Sequence, residues 1–357
     1  MGKANFKFAG AAAVLLAIAT LFVAWHYDLP IRDPDGVVVP MYVQLPIIVL
    51  LAFLIDVLPR SVYRTWRAPR ELPARFMDVV HERWQRSHVA FAIAGLAAWY
   101  LSYAAFRNLK SYVPFVNKSL YDHQLHDLDR AIWFGHDPAA VLHSLFGTGI
   151  AAQFFSLVYV AWIAMVPVTL AVALVWTRHT TAGSWYVTAV VLDWVLGVAI
   201  YFLVPTWGPI YSDKSQFAAL PHTYVSTLQS DMWSDRLTVL HDPWATHAVQ
   251  TIAAFASLHV GVMVTVCLMV ELIKLKRWIR ISAWVFLVLT EIATIYLGWH
   301  FFVDTIGGAA LGAAAVWLAA IGTGNHVGLR PRLHQETGAP ATSPSAGLAA
   351  PAVRRAN

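Results

Sequence analysis

The sequence predicts an all-α fold, a polytopic membrane helix bundle of about eight transmembrane helices, and three observations carry that prediction. Of 357 residues, 58% are hydrophobic and only 13% are charged, whereas a soluble chain carries about a quarter charged residues. Apolar runs long enough to cross roughly 30 Å of hydrocarbon recur along the whole chain. Between them the basic residues gather on alternate sides, which is how an inserted protein distributes positive charge.

The runs fall near 8–25, 41–58, 88–106, 152–177, 184–204, 248–273, 281–299 and 301–321. The first follows Lys3 and Lys7 and has the look of a signal peptide. It continues through Phe22, Val23 and Trp25 without a small-residue cleavage site, so it reads as a span. Between the second and third runs, residues 59–87 hold Arg60, Arg64, Arg67, Arg70, Arg75, Arg83 and Arg86. Within that stretch Phe76, Val79, Val80 and Trp84 recur at helical spacing, which predicts an amphipathic helix lying on the membrane interface.

Two long connections follow, 107–151 and 205–247. In the first, Tyr121 to Asp129 alternates polar and apolar residues at helical spacing, predicting a surface helix closed by Gly135 and Pro138. The second is rich in Trp, Tyr, Pro and His, and both are expected to form a lid over the outer ends of the spans. The turn after 273 carries Lys274, Lys276, Arg277 and Arg280. From 323 the chain is Ala, Pro, Gly, Ser and Thr with scattered Arg, a composition that predicts a disordered tail.

Counting Lys3, Lys7, Arg178, Arg330, Arg332, Arg354 and Arg355 with the arginine-rich turns, one side collects 18 of the 25 basic residues. The other holds Arg32, Arg107, Lys110, Lys118, Arg130, Lys214 and Arg236. The positive-inside rule places the richer side, with both termini, in the cytoplasm. A multi-pass protein of the plasma (inner) membrane is expected. The net charge of +5 follows this topology, so it does not indicate a nucleic-acid partner. The single cysteine, Cys267, excludes an intrachain disulfide and a Cys-based metal site.

The informative segment is His300-Phe301-Phe302-Val303-Asp304-Thr305-Ile306-Gly307-Gly308-Ala309. Ionisable groups at membrane depth are costly and by default functional. Four residues apart on a helix, Asp304 can accept a hydrogen bond from one ring nitrogen of His300, leaving the other free and more basic. Such a pair suits catalysis, a metal or haem site, or a proton relay. A second histidine, His259 in Ala256-Ser257-Leu258-His259-Val260-Gly261, begins the sixth run. Some fifteen residues down and twenty back, at about 1.5 Å each, bring it to the depth of His300. Ser257 stands one short step from His259. Gly307, Gly308 and Gly312 are expected to permit close helix contact.

Ser257-Leu258-His259, followed some forty residues later by His300-x-x-x-Asp304-x-x-x-Gly308, resembles the type 2 phosphatidic acid phosphatase superfamily. Its nearest likeness is to the branch that contains fungal inositol phosphorylceramide synthase. The resemblance implies a six-helix phosphatase/phosphotransferase core over 88–322, with 1–87 as an N-terminal addition and 323–357 as a tail. It implies His300 as nucleophile oriented by Asp304, a phosphohistidine intermediate, and His259 as general acid and then base. The substrate would be a lipid phosphate or phosphodiester, with water or an alcohol as acceptor, and no cofactor or metal.

The chain departs from the superfamily pattern where phosphate is usually held. The first motif, Lys followed by six residues and Arg-Pro, is missing, and the arginine expected six residues before the third-motif histidine is Thr294. The outward basic residues are the remaining candidates. Arg107, Lys110 and Lys214 sit closest to a headgroup, with Arg107 and Lys214 preferred and Ser257 as an additional contact. His123, His126, Asp122, Asp127 and Asp129 have the spacing of a metal site, but solvated helix polarity is the commoner meaning. Trp207, Tyr211 and Trp299 read as interfacial anchors or as contacts to lipid, two meanings the sequence does not separate. Two other functions use the same histidines: axial ligation of a haem in electron transfer, and a proton relay in a transporter.

Overall fold

The computed structural model describes residues 5–33, 41–66, 68–177 and 179–333, the side chains of 41–46 excepted. The chain is an all-α bundle, and each of the eight apolar runs overlaps a helix, the sixth only in its second half. In order these elements are α1 (Lys7–His26), α2 (Met41–Arg64), α3 (Leu72–Arg83), α4 (Arg86–Val116), α5 (Asp122–Ile132) and α6 (Pro138–Phe146). They continue as α7 (Ile150–Ala171), α8 (Thr180–Leu203), α9 (Pro209–Ser212), α10 (Tyr224–His241), α11 (Leu258–Leu272), α12 (Arg277–Tyr296) and α13 (Phe302–Thr323). Among the described residues, six helices are long and apolar enough to cross a membrane: α1, α4, α7 with its π-helical extension to Trp176, α8, α12 and α13. The protein is therefore a multi-pass membrane protein. A short antiparallel ladder pairs His326–Val327 with Arg330–Pro331, and the rest of the expected tail, from 334, lies outside the described residues.

The core is layered around α8, α11 and α13. Helix α13 packs against both α8 and α11, α4 covers α8, and α12 bridges α11 to α7. Trp185, Met263 and Val262 are fully buried in this core. Small residues bring α11 and α13 together: a Cβ at Gly308 would overlap the Ser257 carbonyl oxygen, and one at Gly312 would overlap that of Gly261. Without a hydrophobic force between helices in lipid, such close backbone approach supplies the contact. A polar tie reinforces it, because Thr265 Oγ1 lies 3.2 Å from Asp193 Oδ1 on α8 and 3.3 Å from the Gly312 carbonyl.

At the N-terminal side, α3 begins after Glu71 with Pro73 in its first turn. It places Phe76, Val79 and Val80 as the spacing predicts. Asp56 of α2, fully buried, accepts from Arg83 at 2.7 and 2.8 Å and from the Trp84 indole at 3.2 Å. Arg60, one turn along α2, also pairs with Asp56 at 2.7 Å, and the bonds from Arg83 and Trp84 tie α3 to α2.

Two boundaries differ from expectation. The third apolar run does not end near 106; α4 continues to Val116 over 31 residues. Arg107 and Lys110 therefore sit on a helix rather than in a loop. That length exceeds the roughly 20 residues a bilayer needs, and the apolar face of 105, 106, 109, 112 and 113 stays buried. The sixth run is helical only from Leu258, and 248–257 is irregular backbone with a bend at Phe255 and Ala256. There the chain's amides bond elsewhere: Ala254 N–H to the Thr206 carbonyl (3.2 Å) and Phe255 N–H to Thr206 Oγ1 (2.8 Å). Non-helical backbone at this depth is tolerated because it is buried in protein.

Candidate active site

The late start of α11 is what builds the site. Ser257 is its N-cap, accepting from Val260 N–H at 3.3 Å, so its hydroxyl is turned to its own helix. The Ser257 amide donates to the Asp304 carbonyl at 2.9 Å, locking the beginning of α11 to the beginning of α13. His259 then stands in the first turn of α11, and His300 in the turn just before α13. That turn needs Gly298, whose φ of +76° suits only glycine. It is pinned by the Trp299 and His300 amides on the Thr294 carbonyl, at 2.9 and 3.3 Å. Two helix N-termini thus converge on the histidines, and both favour negative charge there.

The side chains form one continuous chain of contacts. Asp304 Oδ2 lies 3.3 Å from His300 Nδ1 and also accepts from Phe301 N–H at 3.0 Å. His300 Nε2 lies 2.9 Å from His259 Nδ1, and His259 Nε2 lies 3.3 Å from the Tyr159 hydroxyl. With Asp304 ionised and both rings neutral, one assignment satisfies every link. Tyr159 donates to His259 Nε2, His259 Nδ1–H donates to His300 Nε2, and His300 Nδ1–H donates to Asp304. Trp162 fixes His259 from the side: its indole donates to the His259 carbonyl at 3.0 Å, and its ring centroid lies 4.3 Å from the imidazole. Trp299 stacks on Tyr159 at 5.1 Å. Burial first, and the Lys110 charge second, hold the His300 imidazole well below the usual histidine range. Burial keeps the ring neutral, the form in which a nitrogen lone pair is available.

Of the expected site residues, the structure brings His259, His300 and Asp304 into contact. Lys110 sets its ammonium over the Tyr201 ring, 4.8 Å from the centroid, within electrostatic reach of both histidines. Arg107 lies one turn away on α4 with its guanidinium 5.9 Å from the Tyr103 centroid, facing towards the charge of Asp235. Lys214 is exposed in a 3-10 turn, Lys214–Phe217, and makes no contact with the histidines. Thr294, which stands where an arginine was expected, serves the turn through its carbonyl.

The acidic and histidine cluster of 122–129 corrects the expectation of solvated polarity in two places. Asp122 and Asp129, seven residues and two helical turns apart, lie on one buried face of α5. Asp122 accepts from the Trp207 and Gly208 amides at 2.8 to 3.0 Å. Asp129 accepts from the Phe302 and Val303 amides at 2.6 and 2.8 Å, so it caps α13 from another helix. These orphan donors at helix and turn starts need acceptors when water is excluded. Burial pushes the Asp129 carboxyl up to about 6, against the pull of those two amides. His123 and Asp127 form an exposed pair at 3.0 Å, as solvated residues do. Among the described residues no group of three or more His, Cys, Asp or Glu is placed to hold a metal ion.

Sequence reasoning missed Tyr159 and Trp162, which look like ordinary members of an apolar run. It also missed the two capping carboxylates, although their seven-residue spacing was a signal that they share a face.

A family model described as the PAP2 superfamily matches residues 123–318, more than half of the chain. No curated protein matches the chain, and no solved structure does.

Proposed function

The chain belongs to the PAP2 superfamily, and from that premise we propose that it is a membrane lipid phosphatase or phosphotransferase working through a phosphohistidine at His300. The observation that supports this reading best is the Asp304–His300–His259 chain, with the nucleophile and acid nitrogens facing each other at 2.9 Å. That contact holds the two reactive nitrogens side by side, and a phosphoryl group reaches His300 Nε2 by displacing the hydrogen bond from His259.

In the first step His300 Nε2 forms a bond to phosphorus as the bond from phosphorus to the leaving oxygen breaks. His259, protonated against the negative charge of the bound phosphate, gives its proton to that oxygen. Asp304 holds the His300 tautomer and balances the imidazolium that forms. In the second step His259 takes a proton from water or an alcohol, whose oxygen displaces His300 from phosphorus. Lys110 and the N-terminus of α11 stabilise the phosphoryl oxygens in the role that the missing arginines leave vacant, the first amides of α13 being taken by Asp129. A half-buried ammonium within electrostatic reach of the rings suits an anionic phosphoryl group and opposes a metal cation, which favours this reading over haem ligation.

The substrate class is a phospholipid or a polyprenyl (pyro)phosphate. The Ser257-Leu258-His259 motif supports the synthase-like branch, with transfer of a phosphoinositol-type headgroup to an alcohol. The charge distribution supports an extracytoplasmic site in the plasma (inner) membrane, with both termini cytoplasmic.

The test is turnover of a panel of lipid phosphates and phosphodiesters by the purified protein, with and without an alcohol acceptor. His300→Ala should abolish turnover, and His259→Ala should slow it by roughly 10²- to 10⁴-fold. Labelled phosphate trapped on His300 supports the intermediate; full activity in His300→Ala refutes it.

A further inference from the structure

Arg236 of α10 has no part in the chemistry above. Its side chain is 7% exposed, and among the described residues no carboxylate forms an ion pair with it. Its Nη1 donates to Gln250 Oε1 at 3.2 Å, and the guanidinium lies over Trp207, 5.5 Å from the ring centroid. Asp122 is near enough to act on it electrostatically, but both oxygens of Asp122 already accept backbone amides. Gln250 is fully buried and spends its amide on the Lys110 carbonyl at 2.9 Å. A buried cation held in place but left unpaired is costly in a fold, and that cost is offset when a ligand supplies the anion.

Arg236 lines a cavity of about 170 Å³, together with Lys118, Asn117, Trp207, Thr206 and Ala253. Its walls carry two cations and no carboxylate. The cavity is partly open to the surface and has room for several waters or a compact polar group. It adjoins the histidines through one stretch of backbone. Thr206 holds Ala254 and Phe255, and the Ala254 carbonyl reaches the His300 ring.

We propose that the Arg236 cavity is an anion subsite that takes a phosphate-type group of the substrate's headgroup other than the one His300 attacks. The proposal deepens the phosphotransfer reading and rests on it for the identity of the anion. Arg236 supplies a fixed fork for two oxygens, and Lys118 adds charge at the rim.

The test measures binding without chemistry, by titrating the detergent-solubilised full chain with orthophosphate and pyrophosphate in a calorimeter. His300→Ala should keep pyrophosphate binding. Arg236→Gln should weaken it by roughly tenfold or more, as loss of a charged hydrogen-bonding group does. Arg236→Lys should fall between, because it keeps the charge and loses the fork. Should Arg236→Gln fail to fold, Lys118→Gln at the rim decides, with about a threefold weakening expected. Unchanged pyrophosphate affinity in the folded Arg236→Gln protein, or in Lys118→Gln where that protein is unfolded, overturns the subsite. Arg236-dependent binding in a protein that turns over no lipid phosphate would keep the subsite and sink the phosphotransfer reading instead. Orthophosphate binding that depends on Arg236 as strongly as pyrophosphate binding assigns the subsite to a single phosphate. A stronger dependence for pyrophosphate assigns it to the outer phosphate of a larger headgroup.

Discussion

Gly312→Ala should damage the site from two turns away. The added Cβ would overlap the Gly261 carbonyl oxygen, a backbone atom that no rotamer change can move aside. Helices α11 and α13 must then separate, and they carry His259 and Asp304. Overpacking of this kind costs about 1–3 kcal/mol of stability. A displacement on the order of 1 Å between reacting groups costs roughly 100-fold in rate, about 2.7 kcal/mol of barrier, so the loss of kcat should be comparable to the loss of stability. The series Gly261→Ala, where the nearest atom is the Gly308 carbonyl oxygen at 3.1 Å, should be milder. Gly10→Ala in α1, where a Cβ meets nothing within 4 Å, should be neutral or stabilising by about 0.5–1 kcal/mol. Thermal unfolding in detergent and turnover of a lipid phosphate measure both effects. A Gly312→Ala protein with wild-type melting temperature and wild-type kcat would show that the α11–α13 spacing does not position the histidines.

Three further outcomes follow from the geometry. Asp304→Asn should keep the fold and lose at least roughly 100-fold in rate, since the amide cannot balance a charged His300; an unchanged rate would make Asp304 structural. Tyr159→Phe removes one hydrogen bond to His259 and should slow turnover by roughly threefold to tenfold, chiefly in kcat, and equal kinetics would remove Tyr159 from the chain of contacts. Asp129 sits at about 6, above its ordinary 3.8, so the fold favours its protonated form. Its contribution to stability is fully present below pH 3.8 and is lost as the pH rises through 6. The wild type should therefore gain stability over Asp129→Asn between pH 7 and pH 4, and parallel unfolding curves across that window would contradict the assignment.

Much of the site was legible because its chemistry is local. His300 and Asp304 are four residues apart, and although His300 stands in the turn before α13 rather than on the helix as expected, the first turn still joins their side chains. Counting rises along a helical hairpin brought His259 to the same depth. The phosphate-holding residues were not legible, because a basic residue in a sequence gives no sign of which way it faces. Lys110 acts on the histidines electrostatically, Lys214 stays in solvent, and Arg236, passed over among the outward basic residues, is buried with no ion pair among the described residues. Asp122 and Asp129 were read as solvated for a similar reason. Their partners are backbone amides 85 and 173 residues away, and backbone donors leave no mark in a sequence.

Composition and periodicity alone determined the membrane bundle, its apolar spans and the histidine–aspartate pair, because lipid immersion and helical repeat act on near neighbours. Tertiary structure alone decided where α11 begins and which acceptors close the starts of α11 and α13. It also decided that two histidines 41 residues apart share a hydrogen bond. Those features depend on which backbone groups lose water together, and only the packed chain settles that.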